Sequence, residues 1–451
     1  MPSAFPLLRR RGVKTYTMAT YKVVVSTYAS TYASIDASGK GKTKNNTILM
    51  GSFVRMLGQS EGEWTKVSAF DIDGWIKKTD LGLSSGLKVF YVDVGQGDGA
   101  LIEIGNQDDT HGLRILIDGG PSNNMSRYLS KWQFKYYYDH GEKIHIDYIF
   151  ISHFDKDHYE GLISILNDDH YTFGTIFHSG IAKFKKPATG NAHGYNSTLG
   201  KKIKIPGKTY LVTSFDDFDS LMQLKVDGEL QLLMENFAGA VKNAKDNGRL
   251  EAMQRLDSTK AITEATINEQ IFKIEILGPV TETIEGQLAY RFFEDDSHTV
   301  NGHSLVLKIT YGDRTVLFGG DLNIPSEKHL LLHNAPNNPF EVDVAKSCHH
   351  GASEFTLDFM AAVNSYATVI SSGDNETYSH PRADAIGCAG KYSKSDRPLV
   401  FSTELARSSN VETDSIKFGM INLRSDGKSI IMAQMKEVSG GGDVWDLYEV
   451  L

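Results

Sequence analysis

The segment Ile151–Leu162 reads ISHFDKDHYEGL and sets His153, Asp155, Asp157 and His158 inside six residues. Upstream, Ile146–Ile151 (IDYIFI) is a β-branched and aromatic run of buried-strand length. Downstream, Leu162, Ile163, Ile165 and Leu166 have helical spacing. The cluster therefore occupies a strand-to-helix connection, where several side chains converge on one point with a helix N-terminus behind them. Neutral imidazole and carboxylate are the ligands a divalent ion uses at a hydrolytic site. The alternative is a solvated acidic loop that caps the helix, but two histidines in register with two aspartates exceed what capping requires.

At 451 residues, 40% of them hydrophobic, the chain is long enough for two domains and a large core. Its formal net charge of -9 argues against a protein that coats nucleic acid indiscriminately, while leaving room for a local basic track. Cys348 and Cys388 are far apart and form no CxxC. Neither a disulfide framework nor a zinc finger is expected from them, and a reducing, cytoplasmic setting fits. The first residues, MPSAFPLLRRRGVKTYTMAT, carry arginines without a following apolar run, which is unlike a signal peptide, and Met18 is a second candidate start. No later run reaches the apolar length of a membrane span.

Tyr21–Leu81 reads as short strands broken by polar turns, closing on Gly74-Trp75-Ile76. Gly51, Val54, Trp64, Val67, Gly74 and Trp75 resemble the spacing of bacterial SH3-like domains. That resemblance implies either a docking module for a peptide, glycan or protein partner, or a small β-barrel packed on the main domain with its tryptophans as core. Leu81–Gly86 is the expected linker. Two domains follow, 19–84 and 87–451.

Leu87–Ile104 is two apolar runs joined by Gly95-Gln96-Gly97-Asp98-Gly99. No Gly-Lys-Ser/Thr follows and the next element is a strand, so a tight strand-turn-strand is expected rather than a phosphate-binding loop. Arg114–Gly120 is a further strand, ending in Asp118. After the metal loop, Lys183, Lys185, Lys186, Lys201, Lys202, Lys204 and Lys208 form a basic tract without an intervening acid. Residues 218–257 have helical apolar spacing, and the stretch 181–270 reads as a basic and helical insertion in the second domain. Beyond it, three successive strands end in Asp321, in Cys348-His349-His350 and in the loop carrying His380. A core sheet does not need titratable residues at its strand ends, whereas a metal site does.

The ordered set VGQGDGA, LIDGG, SHFDKDHYEGL, NGHSLVLKITYG, LFGGDL, CHHGAS and SHP resembles the metallo-β-lactamase superfamily, and within it the hydrolase domain of competence proteins of the ComEC type. The resemblance covers residues 87 to about 435. It implies an α/β fold, an αββα sandwich carrying a dinuclear metal site at one edge, with the small SH3-like β-barrel ahead of it. Matched motif by motif, His153, Asp155, Asp157 and His158 are metal ligands, Asp321 bridges the ions, and His350 or His349 is the last histidine. Asp118 orients a ligand from behind. The usual second histidine of the central motif is Asp155 here, a harder ligand that shifts preference towards manganese without excluding zinc. The histidine that normally precedes the bridging aspartate has no clear counterpart; His303 is nearest, while Asn301 and Ser304 fit the competence-type pattern.

Such a site implies two divalent ions, zinc or manganese, that lower the pKa of a bridging water for attack on a phosphodiester. The expectation is a metal-dependent phosphodiesterase, a nuclease on single-stranded DNA. Asp157 and His380 are its candidate catalytic residues and Lys201, Lys202 and Lys204 its candidate substrate contacts. His380 is equally explained as a strand-end histidine bonded to backbone, and the lysines as a solvated loop. Rival functions are hydrolysis of a small ester, lactone or phosphocholine substrate, and a regulatory binding protein tethered by the SH3-like module.

Overall fold

The computed structural model describes residues 21–70, 72–106, 109–185, 195–262, 264–373, 377–403, 421–435 and 445–451. The β-branched and aromatic runs of the second half assemble into two sheets. The larger has nine strands, in the spatial order Leu250–Arg255, Tyr171–His178, Ile144–Phe150, Asp109–Ile117, Ala100–Asn106, Leu87–Tyr91, Ile421–Ser425, Ile430–Met435 and Trp445–Glu449. The smaller has seven: Ala265–Ile267, Gln270–Gly278, Val306–Tyr311, Arg314–Phe318, Val344–Lys346, Ala367–Ile370 and Leu399–Ser402. Apolar residues of both inner faces, among them Val89, Ile102, Ile115 and Phe150 from one and Ile274, Leu307, Val316 and Val369 from the other, merge into one core. Burial of each such side chain is worth roughly 1.5–3 kcal/mol.

Helices cover both outer faces. Lys156–Asn167 and Leu232–Asp246 set Leu162, Ile165, Phe237 and Val241 against Ile149, Phe173 and Ile176 of the larger sheet. On the other side Leu330 and Phe359, from helices Ile324–Asn334 and Leu357–Val363, pack with Val306, Leu317 and Ala345. The layer order is helix, sheet, sheet, helix. No helix among the described residues is long and apolar enough to cross a membrane.

Each sheet contains a parallel block. Asp109–Ile117, Ile144–Phe150, Tyr171–His178 and Leu250–Arg255 run parallel in one, and Arg314–Phe318, Val344–Lys346, Ala367–Ile370 and Leu399–Ser402 in the other. The carboxyl ends of parallel strands are where open α/β sheets place their sites, because loops there converge without crossing the sheet. The loops carrying the candidate ligands leave from such ends.

The helical reading of residues 218–257 is corrected in its last part. Helices span Phe218–Val226 and Leu232–Asp246, and Leu250–Arg255 is instead the edge strand of the larger sheet, paired in parallel with Tyr171–His178. Gly248, at φ 66°, ends the helix in a conformation most side chains avoid. The expected insertion 181–270 thus supplies part of the sandwich itself. Its lysine-bearing hairpin, Lys202–Ile205 with Lys208–Val212, joins Gln287–Arg291 and Glu282–Ile284 in a separate four-stranded sheet. Lys186 lies outside the described residues.

The N-terminal stretch forms its own antiparallel seven-stranded sheet around Val24, Ile48, Val54, Val67 and Ile76. Trp64 is buried there, its ring 5.6 Å from that of Tyr32 and its indole N–H donated to the Gly39 carbonyl at 3.1 Å. This tryptophan is core, whereas Trp75 is half-buried. Leu49 carries the contact to the sandwich by packing with Ile431 and Ala433.

Helix Ile324–Asn334 opens on a capping box between Asn323 and Ser326 and buries Glu327 one residue later. Burial raises the Glu327 carboxyl to about 7 from an ordinary 4.5, only partly offset by the Thr356 N–H donated to it. The folded state therefore keeps a proton that the unfolded chain has lost, and stability falls as pH rises through the window between those two values. Glu327→Gln is expected to remove this slope, leaving the variant about 3 kcal/mol more stable than the parent at pH 8 and near parity at pH 4. Urea denaturation at both pH values measures it, and an equal difference at the two would exclude a protonated Glu327.

Candidate metal centre

At the carboxyl-end rim, Asp98, His158, Asp321 and His350 are all buried, with one ligand atom of each within 4.8 Å of every other. Asp321 is the hub. Its Oδ2 lies 3.1 Å from His158 Nε2, 3.2 Å from His350 Nε2 and 3.9 Å from His153 Nε2. Asp155 Oδ2 is 3.9 Å from His153 Nε2, and Asp157 Oδ2 is 3.3 Å from His350 Nε2.

The other ring nitrogen of each histidine is held from behind. His158 Nδ1 is 2.9 Å from Asp118 Oδ2, His350 Nδ1 3.0 Å from the Ser371 carbonyl, and His153 Nδ1 3.1 Å and 3.3 Å from the hydroxyls of Ser152 and Ser304. Asp118 is itself fixed by the Ser152 N–H and hydroxyl, at 2.8 and 2.6 Å. Each imidazole therefore turns Nε2 towards the common centre, the orientation a metal-ligating histidine takes when its Nδ1–H is donated outward. Nε2 of His153, His158 and His350, with Oδ1 of Asp98 and Asp321, are buried without a hydrogen-bond partner. Buried polar atoms left in this state are costly, and their convergence on one point fits a divalent cation.

The charge pattern agrees. Burial disfavours the charged form of His158 and His350, yet Asp321 and its neighbours raise both well above the usual imidazole range. Burial likewise pushes Asp321 up, but the same two histidines hold it well below the usual carboxylate range. The aspartate is thus arranged to face cations. His153, farther from the carboxylates, is lowered to about 3 by burial and by His158.

Local backbone explains how the sequence delivers these groups. Asp155 is the N-cap residue of helix Lys156–Asn167, yet its side chain makes no capping bond, so capping does not account for the cluster. Gly97 lies so close to the metal loop that a Cβ there would sit 2.2 Å from the Asp157 carbonyl, and this approach seats Asp98 in the site. Asp118, His349 and His350 have φ of 58°, 47° and 53°, the left-handed region that non-glycine residues enter at a cost of about 1–3 kcal/mol each. Of the paired histidines, His350 is the inner; His349 is partly exposed, its Nε2 4.0 Å from Asp321.

Other expected residues lie farther out. His380 is at the rim, its ring 6.3 Å from that of His350 and its Nδ1 3.2 Å from the Gln96 amide nitrogen. His303 is removed from the cluster: it is buried between Tyr290 and Phe293, Nε2 2.6 Å from the Arg291 carbonyl. Its neighbour Ser304 does the work instead, accepting the Asp321 N–H at 3.0 Å. Lys201 reaches Gln287 and Lys202 reaches Asp296 and the Phe292 ring, while Lys204 is exposed on the hairpin. Lys183 of the basic tract is ion-paired to Asp155. Two members were not anticipated, Asp98 and Lys346. The Lys346 ammonium is buried against the Asp98 carboxylate, 3.2 Å from the Gly320 carbonyl and 3.9 Å from Asp321 Oδ1.

Fold and site together define a class: a helix–sheet–sheet–helix sandwich with a divalent-metal-competent centre at the carboxyl-end rim. Among solved structures, this chain is similar to a long form RNase Z from yeast, at 10% identity and a TM-score of 0.33, the match covering 66% of this chain and 39% of that one. The chain thus spans well under half of that protein. It is also similar to a diphosphatase from the PhnP family, at 11% identity, TM-score 0.28 and coverage of 70% and 94%. A third is MEM-A1, a subclass B3 metallo-β-lactamase isolated from a soil metagenome library, at 10% identity, TM-score 0.27 and coverage of 59% and 78%. No family model matches the sequence, and no curated protein does.

Proposed function

We propose that the protein is a metal-dependent phosphodiesterase of the metallo-β-lactamase type, a nuclease acting on single-stranded DNA. The observation that supports this most is the convergence of unpartnered His153, His158 and His350 Nε2 atoms on Asp321, a donor set suited to divalent ions. Asp98, His158, Asp321 and His350 would hold one ion, and His153, Asp155 and Asp321 a second, with Asp157 beside His350. Bound there, zinc or manganese would supply Lewis-acid polarisation of a phosphoryl oxygen and a nucleophile from water at neutral pH. The carboxylate-rich set favours manganese. The chain's own groups supply orientation: Asp118 and Ser371 fix the histidine tautomers, and Lys346 offsets carboxylate charge. His380, at the rim, is placed to contact substrate or to protonate the leaving oxygen.

A second reading, hydrolysis of a small ester or lactone, gains from Lys201 and Lys202 being engaged with Gln287 and Asp296 rather than turned to the centre. The N-terminal sheet, with its SH3-like spacing, is on this proposal a separate domain that docks a peptide or protein partner.

The test is a screen of the full-length protein with manganese or zinc against single-stranded DNA, a small chromogenic phosphodiester, a lactone and a neutral carboxylic ester. The expected result is metal-dependent cleavage of DNA and the diester, abolished by a chelator. Cleavage of the lactone or ester alone would overturn the phosphodiesterase reading in favour of the second.

A further inference from the structure

The segment from Asn124 to His140 has two unlike sides. Met125, Tyr128, Leu129 and Phe134 turn inward and are buried in the layer over the larger sheet. Outward, Arg127, Lys131 and Lys135 are exposed, and so are Trp132, Tyr136 and His140. Trp132 and Tyr136 are each 56% exposed, and the Tyr136 and His140 rings stack at 4.1 Å. A single exposed ring is ordinary on a protein surface. Two large exposed rings among three exposed cations, in a chain of net charge -9, are not accounted for by solubility. The segment also contains a π-helical turn, Leu129–Gln133, with Trp132 inside it, a local irregularity that often marks functional positions.

The near end of this segment is tied to the metal centre. Asn124 donates its side-chain N–H to the Val94 carbonyl at 2.9 Å, and Ser122 donates its N–H to Glu160 at 2.8 Å. Pro121 lies against Gly97, whose own neighbour is the Asp157 carbonyl. The segment therefore begins beside the loops of the centre and continues through the π-helical turn to Trp132 and Tyr136.

We propose that this outer face is a binding track for single-stranded DNA, with bases stacking on Trp132 and Tyr136 and phosphates meeting Arg127 and Lys131. Charge complementarity selects a polyanion, and exposed rings select one whose bases are not already paired. The direction of the track rests on the phosphodiesterase reading; binding itself does not.

The experiment uses the full-length protein in chelator and a fluorescein-labelled oligothymidylate, read by anisotropy across a salt series. Trp132→Ala with Tyr136→Ala should weaken binding at least about tenfold, whereas Trp132→Phe, which keeps a ring, should hold affinity within about threefold. Arg127→Ala and Lys131→Ala should each flatten the salt slope by about 0.7. Cleavage of the small diester by the metal-loaded variants should stay at the parent level. Unchanged affinity in the double variant would overturn the track, as would a parent that binds no oligonucleotide, which would return the face to a protein partner. Equal binding of duplex DNA of the same length would overturn the stacking role. A parent that binds oligothymidylate through these residues but cleaves neither DNA nor diester would sink the phosphodiesterase reading and leave the track standing.

Discussion

Asparagine in place of Asp321 is expected to strip the protein of metal and to lower phosphodiester hydrolysis at least about a hundredfold. The carboxylate is the single group that three histidine Nε2 atoms share, at 3.1, 3.2 and 3.9 Å. Removing one charged partner of a buried set costs about 3–5 kcal/mol, and each 1.4 kcal/mol is about tenfold in a rate or binding constant. The amide is nearly isosteric, and the Asp321 N–H bond to the Ser304 hydroxyl belongs to the backbone, so the fold should persist. Circular dichroism, elemental analysis and rates on a small chromogenic diester separate these outcomes. A folded Asp321→Asn variant with full metal content and full activity would leave the centre without its hub.

Lys346→Met should show the largest effect on stability. The ammonium is buried against Asp98 and near Asp321, and although burial alone would lower its pKa, those two carboxylates raise it. Methionine keeps most of the side-chain length but removes the ammonium held against Asp98, leaving both carboxylates to His158 and His350 alone. The metal-free protein is expected to lose about 3–5 kcal/mol. A divalent ion neutralises the same carboxylates, so the loss should shrink markedly when denaturation is repeated with manganese. A loss under about 1 kcal/mol in chelator would mean that Asp98 is not held as an anion by Lys346.

The central loop was legible because four metal-capable side chains stand close together, and the strand ends at Asp321 and His350 because titratable groups are out of place after apolar runs. Asp98 was hidden by its glycines, which read as a backbone device. They serve that purpose, but the approach of Gly97 to Asp157 is also what seats the carboxylate. Lys346 was a lone cation within Val342–Ser347, and only the folded chain shows which anions surround it. Motif order left His303, Asn301 and Ser304 open, since adjacent residues of a turn diverge: Ser304 bonds His153 while His303 faces aromatic rings. Helical periodicity carried the reading past Gly248 because Leu250–Arg255 is too short to show its own period of two.

Candidate ligands for the centre come from both halves of the sandwich: Asp98, His153 and His158 from loops of the larger sheet, with Asp118 behind His158, and Asp321 and His350 from the smaller. Neither sheet alone can complete the set, so the donor atoms meet only after the two faces have docked. Contacts between residues as distant in sequence as Asp98 and His350 are among the last a folding chain can form, because long loops must close before such contacts contribute. Acquisition of metal during refolding is therefore a clock for sheet docking. On the proposed metal reading, a chelator added early should leave the rate of secondary-structure formation untouched while withholding an ion that would join the two sheets across their rim.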